Sequence, residues 1–252
     1  MILRNIPGTV AGLVGLALVV ALWHAVTVGG LVSKAFLASP SATFEALVRG
    51  LGSGDFAGQL AATVLRMLNG WLLASIVAIA IGSLIGISQT ARAYLRPILA
   101  FARSLPASAV IPVAISLVGL SPGMVLGVIV FGSVWPTLLA TVQGFATVEP
   151  RLKDVAQMLH LSRADFVWKI GLPNAVPDIV AGMRLSLTVA LILSVIGEML
   201  SGQEGLGTAI LLAARAFRAP ELYAGIVLLG VIGLVSSYGL LLAERRIVKW
   251  RV

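Results

Sequence analysis

No cysteine occurs among the 252 residues, which excludes a disulfide scaffold, a thiolate metal site and a cysteine nucleophile together. Only two histidines are present, His24 and His160, far apart and without HExxH spacing, so no metal and no cofactor is expected on this chain. Charge is scarce at 11% of residues, and aromatics make up 6%. None of the four lysines, Lys34, Lys153, Lys169 and Lys249, follows a glycine, so no GxxxxGK[ST] phosphate loop exists and the chain is not itself an ATPase of that kind. The net charge of +8 raises the question of nucleic acid, but the basic residues are not interleaved with stacking aromatics, and no nucleic acid is expected as partner.

What the chain has in abundance is apolar length. It is 59% hydrophobic with a mean hydropathy of +1.04, a membrane composition. A helix crossing ~30 Å of hydrocarbon needs about 20 apolar residues. Six segments meet that need: 9–29, 64–88, 103–121, 123–146, 178–201 and 221–243. The expected fold is therefore an all-α membrane protein of six transmembrane helices in a single domain over 1–252, since no linker or low-complexity run divides it. The first segment is longer than a signal-peptide core and lacks a small-x-small site directly after it, so it reads as a retained helix. Arg66 and Arg184 lie near segment ends, where long side chains snorkel. Pro106 and Pro112 imply a kinked or broken third span, and Pro122 a tight turn.

The basic residues sort by side. With the N-terminus inside, Arg4, Arg92, Arg96, Arg103, Arg151, Lys153, Arg163, Lys169, Arg184, Arg245, Arg246, Lys249 and Arg251 are inner, and Lys34, Arg49, Arg66, Arg215 and Arg218 are outer. Thirteen against five places both termini in the cytoplasm, and six spans fit that parity. Of the outer segments, the one that begins at Ser41 and runs through "ALVRGLGSG" reads as a short surface helix ended by glycines. A second short helix or re-entrant segment is expected near 203–220.

The longest inner loop, 147–177, mixes charges of both signs with apolar residues. Pro150 suits the first turn of a helix. Leu152, Val155, Ala156 and Leu159 then share an apolar face. Ser162 and Asp165 stand in capping-box positions for a second helix with Phe166, Val167 and Ile170 on its apolar face, and Pro173 and Pro177 stop it. A helix lying on anionic lipid would carry excess positive charge. Here Glu149, Asp154, Asp165 and Asp178 balance Arg151, Lys153, Arg163 and Lys169, which favours a protein partner over membrane lipid.

The run Asp154-Val155-Ala156-Gln157-Met158-Leu159-His160-Leu161-Ser162, with Leu172-Pro173 following, resembles the EAA motif of bacterial ABC-importer permeases. Asp replaces Glu, Val replaces the first Ala, and His160 stands at the motif glycine. Either the bend needs no positive φ here, or His tolerates it as Asn does. Residues 63–88, 96–123, 205–217 and 242–250 are similar to the nitrate/sulfonate/taurine branch, so the resemblance covers nearly the whole chain, with a family core at about 60–245. It implies a type I importer transmembrane domain that pairs with a second copy of itself, two cytoplasmic ATP-binding subunits carrying ATP and Mg, and an external substrate-binding protein. The coupling segment would comprise Asp154, Ala156, Leu159, His160, Leu161, Ser162, Arg163, Ala164, Asp165, Phe166, Leu172 and Pro173. The cargo would be a small anion: a sulfonate such as taurine or an alkanesulfonate, nitrate, or an aromatic carboxylate.

Candidates for the pathway are Ser133, Thr137, Gln143, Thr188, Ser194 and Glu198, with Ser116 and Ser186 beside them, although hydroxyls also bond back to their own helices. Glu198 is either a functional intramembrane carboxylate or a solvated helix end. No Lys or Arg need sit mid-span, so the expected path is apolar and hydroxyl-lined. The stripe Ala78, Gly82, Gly86 marks close helix approach, within one subunit or across a dimer. His24 is expected to pack at the interface. A secondary transporter would need an ion site or inverted repeat at the midplane, and a membrane enzyme paired catalytic groups. Neither is legible.

Overall fold

The structure is a computed structural model that describes residues 8–30 and 32–247. Arg4, Lys249, Arg251 and the end of the 242–250 match lie outside the described residues. Every regular element among the described residues is helical. The first, α1 (Gly8–Val28), is apolar on all sides, and its leucines and valines stand exposed along its length. A helix with no polar face has nothing to turn toward water, which suits a lipid surround. Trp23 ties it down by donating from Nε1 to the Ala38 carbonyl at 2.9 Å; His24 is exposed beside it.

The short surface helix exists as α2 (Pro40–Gly52), but it starts before Ser41. Its cap is Ser39, whose Oγ accepts from the Ala42 N–H at 3.3 Å, with Pro40 preset in the first turn. After Gly54, at φ 85°, comes α3 (Asp55–Ile87), 33 residues long.

The third expected span is corrected. Rather than a segment from 103, the chain forms α4 (Gln89–Ser104) and α5 (Ala107–Val118), bent by 81°. Ser88 begins α4 by accepting from the Ala91 N–H at 3.2 Å. Pro106 forces Leu105 into extended backbone (φ −67°, ψ 123°), so the helix breaks there. Pro112 stays inside α5 without breaking it. Pro122 occupies the first turn of α6 (Pro122–Ala146), capped by Ser121, rather than a turn proper.

Beyond α6 come α7 (Pro150–Met158), α8 (Arg163–Phe166), a π turn (Val167–Gly171) and α9 (Leu172–Ser201). The expectation that Pro173 and Pro177 end a helix is overturned: helix runs unbroken from Arg163 to Ser201. The π turn widens the ladder just ahead of Pro173, so the bond its ring cannot donate is not forced into an α register. The chain closes with α10 (Leu206–Arg215), the second short helix, and α11 (Ala219–Ile247).

Four of these helices are long and apolar enough to cross a bilayer, and the bent pair counted as one makes five. In lipid, apolar surface gains little from helix contact, so association depends on close packing of small residues. The core follows that rule. On α3, a Cβ at Gly82 would stand 2.7 Å from Thr141 Cβ and 3.0 Å from the Leu138 carbonyl of α6. On α9, one at Gly182 would meet the Pro136 carbonyl at 2.8 Å. Ala78, Gly82 and Gly86 are buried, so that stripe packs within the subunit.

Candidate functional site

The bundle has two chemically distinct ends, one carrying residues 147–171 and the other residues 202–207. At the first, α7 ends in a Schellman arrangement. Leu161 N–H donates to the Ala156 carbonyl and His160 N–H to the Gln157 carbonyl, both at 3.0 Å. His160 takes φ 50°. The bend therefore does use the left-handed conformation, and His fills a position that favours glycine. Ser162 then caps α8, its Oγ accepting from the Asp165 N–H at 3.1 Å and donating to Asp165 Oδ2 at 2.6 Å. Lys169, through a 2.6 Å bond, and then Ser162 hold the Asp165 carboxyl below its ordinary value of 3.8.

The apolar face expected of α7 is split. Ala156 is buried, whereas Leu152, Val155, Met158 and Leu159 are all exposed, Met158 by 80%. Trp168 on the π turn is 73% exposed. Asp154, Ser162, Arg163, Ala164 and Pro173 are also exposed; Leu161, Phe166 and Leu172 are half-buried. Beneath the loop, Ala156, Leu161 and Phe166 cover a cavity of about 310 Å³ floored by Gly86 and Phe145. Asn174 Nδ2 donates to the Gly144 carbonyl at 2.9 Å, fixing α9 to the end of α6. The loop is thus tied to the ends of α6 and α9, while Leu152, Val155, Met158 and Leu159 stand uncovered among the described residues.

The pathway candidates separate by burial. Ser133, Thr137 and Ser194 are fully buried where α6 meets α9 and α3. Ser194 donates to the Ala190 carbonyl at 2.8 Å, the back-bonding expected of helical serine. Gln143 and Thr188 are exposed. Ser116 is exposed and bonds back to the Pro112 carbonyl at 2.9 Å.

Glu198 is not a solvated helix end. It is fully buried at the 202–207 end, ion-paired to Arg66 of α3. Its Oε2 accepts from Thr63 Oγ1 at 3.0 Å and from the Gly207 N–H at 2.9 Å. Thr63 Oγ1 accepts in turn from the Leu206 N–H at 2.9 Å, and Arg66 donates to the Glu204 carbonyl at 3.2 Å. Gly205, at φ 158°, lies against the carboxylate, where a side chain would displace it. One carboxylate therefore joins α3, α9 and the start of α10. Arg66 does not snorkel outward, and Arg184 is likewise paired, with Glu244 of α11.

The sequence reading missed Thr63, Arg66 and Gly207 as partners. Thr63 and Arg66, three residues apart, share a helix face. An arginine and a glutamate each set in apolar sequence, with no local partner, were the available signal.

Residues 73–249 match the model of the family described as "binding-protein-dependent transport system inner membrane component". SsuC of Bacillus subtilis, assigned to aliphatic sulfonates transport, is 31% identical over 251 residues, covering 98% of this chain and 90% of its own. The nitrate import permease NrtB of Leptolyngbya laminosa is 32% identical over 74% of this chain and 68% of its own. The taurine transport permease TauC of Escherichia coli is 28% identical over 93% and 87%. Among solved structures, the methionine ABC transporter MetNI in an inward-facing form superposes with a TM-score of 0.66 at 18% identity, covering 76% of this chain and 95% of that one. The several apolar helices and these matches describe a multi-pass protein of the bacterial plasma membrane. The chain belongs to the family of binding-protein-dependent transport system inner membrane components.

Proposed function

We propose that this chain is the membrane-spanning subunit of an ATP-driven importer, paired with a second copy of itself and coupled to two cytoplasmic ATPase subunits through residues 150–173. The observation that carries this reading is the unpartnered row Leu152, Val155, Met158 and Leu159 on a rigid mount. Exposed apolar side chains at a fixed bend, with flanking charge of both signs, fit the groove of a soluble protein. Closure of two ATPase subunits would move both loops together, biasing the pair between inward-open and outward-open states.

In this reading α1 and the bent α4–α5 pair complete six spans, and both termini are cytoplasmic. The 202–207 end faces outward, toward an external binding protein. The sulfonate, nitrate and taurine relatives support a small anion as cargo, a sulfonate first. Gln143 and Thr188, exposed on α6 and α9, are the pathway candidates that water reaches in this arrangement.

Co-purification with an ATP-binding subunit tests the assignment, and a chain that never recruits one sinks it. Sidedness is open to direct labelling because the chain has no cysteine. Ser53→Cys should react with an impermeant maleimide from outside, and Ser162→Cys only after permeabilisation. Reaction of both from one side would end the six-span arrangement.

A further inference from the structure

The correction of the third span moves three arginines. Read as 103–121, that segment left Arg92, Arg96 and Arg103 at or before its inner mouth. In the structure they lie along α4, and α4 does not lie flat across the end of the bundle. Near its start Arg92 donates to the Gly86 carbonyl, and Gly86 packs against Phe145, next to the last residue of α6. Further along, Leu99 packs with Ala74, Ala78, Val134 and Leu138. Just past the break, Ala107 meets Gly132, where an added Cβ would come within 2.7 Å of Ala107 Cβ. Over these residues α4 therefore climbs about 20 Å beside α6, at 1.5 Å per residue. Arg103, one turn before Ala107, stands roughly 15 Å in from the loop end of α6, about half the ~30 Å hydrocarbon depth.

The two free sides of α4 differ. Tyr94, Ile98 and Phe101, at i, i+4 and i+7, form an exposed apolar row. Arg92, Arg96 and Arg103, at i, i+4 and i+11, fall about 170° away at 100° per residue. Arg96 and Arg103 are exposed and belong to none of the ion pairs among the described residues. No Asp or Glu occurs anywhere from 56 to 148. An unpaired cation at mid-depth is costly against lipid, so such residues face water or a partner. Snorkelling serves helix ends that lie at a membrane surface; Arg103 is in the last turn of α4, but that end meets α6 near Gly132, part-way along it. The apolar row takes the lipid-like side and leaves the arginine row for water.

We propose that Arg103 lines the water-filled path and forms its anion-selecting station, with Arg96 at the cytoplasmic mouth. A pathway lined only by apolar and hydroxyl groups is thereby replaced by one with a fixed cation at mid-depth, presented twice in a symmetric pair. The ligand class is a small anion such as a sulfonate or nitrate, held by charge and by the planar donor fork of guanidinium. The proposal rests on the permease reading and its orientation.

The test uses Ser104→Cys, beside Arg103, as the sole thiol of the full chain in proteoliposomes. It is treated separately with sulfonatoethyl and trimethylammonioethyl methanethiosulfonate, and each rate is divided by that of a free thiol. The anionic reagent should react faster, Arg103→Gln should lower the anion-to-cation ratio roughly tenfold, and Arg103→Lys should keep most of it. A ratio unmoved by Arg103→Gln overturns the proposal. So does a thiol reached by neither water-soluble reagent but by a lipid-soluble maleimide, or one protected from all three by a second copy. Taurine or nitrate uptake by the complete transporter is read separately. Wild-type protein that recruits no ATPase or shows no ATP-driven uptake fails the permease reading, whatever the reagent ratio. Normal uptake with an unmoved ratio fails only Arg103.

Discussion

The two ends of the bundle solve opposite problems. At the 202–207 end a carboxylate, a guanidinium, a threonine hydroxyl and two backbone N–H groups satisfy one another in the interior. At the 147–171 end four apolar side chains and a tryptophan stand exposed, uncovered by any of the described residues. The first end uses its charged pair for internal closure. The second is incomplete in the way an interface is. Damage to the first should therefore read out as lost folding, and damage to the second as lost association with folding intact.

Glu198→Gln breaks the closed end most severely. It leaves the largely covered Arg66 charge without its counter-ion, and should cost about 4 kcal/mol of stability, seen as a lowered unfolding midpoint in detergent. Replacing both partners, as Glu198→Leu with Arg66→Met, should cost less than the single change. A Glu198→Gln chain with the wild-type midpoint would erase the contrast between the ends.

Ala164→Asp addresses the open end. Ala164 is exposed, so the new carboxylate is free in the isolated chain and desolvated only against a partner. The expected cost is about 3 kcal/mol of ATPase affinity with unfolding unchanged, measured by co-purification beside a melting curve. Phe166→Ala, which also opens the cavity below, should weaken recruitment less. Normal assembly and transport by Ala164→Asp would show that the partner seats elsewhere.

His160→Gly is smaller and has the opposite sign. Glycine relieves the left-handed strain but loosens the unfolded chain, so a net gain of up to ~1 kcal/mol is expected. His160→Val should lose stability, and a neutral Val would mean that the bend has relaxed. The smallest effect is on pH. The Asp165 carboxyl is held low by Lys169 and Ser162, so its contribution is complete above 3.8 and disappears as pH falls through its lower folded value. Protection of the amides at the start of α8, taken relative to the unstructured exchange rate at the same pH, should fall only under such acid, and a loss near neutrality would assign the cap to another group.

Helix identity was legible in the sequence wherever apolar length decided it, as in α1, α6 and α11. Ser162 as a cap was legible too, because its partner is three residues away. The reading failed where long-range geometry overrode a local rule. Pro173 stops a helix only if the ladder must stay α, and a π turn removes that condition. Glu198 reads as a helix end beside Gly202 until Arg66, 132 residues earlier, is seen to reach it. Arg103 reads as a boundary residue because α4, whose last turn it occupies, is too amphipathic to register as a span. Of the 147–171 loop, its exposure and bend were legible, but which apolar residues stay uncovered depends on where α3 and α6 end beneath it.

The unbroken helix from Arg163 to Ser201 spans 39 residues, or about 58 Å at 1.5 Å per residue. It carries the exposed loop at one tip and Glu198 near the other, with Gly182, in close backbone approach to α6, near the middle. Such a rod is a lever with a built-in fulcrum. A 5° tilt about Gly182 would shift each tip by about 2.5 Å in opposite directions on this rise, delivering a push at one end to the other as a pull. Distances between spin labels at Ser162 and Ser201 and a fixed reference on α6 would show the two tips moving oppositely; parallel motion would mean that the rod translates rather than pivots.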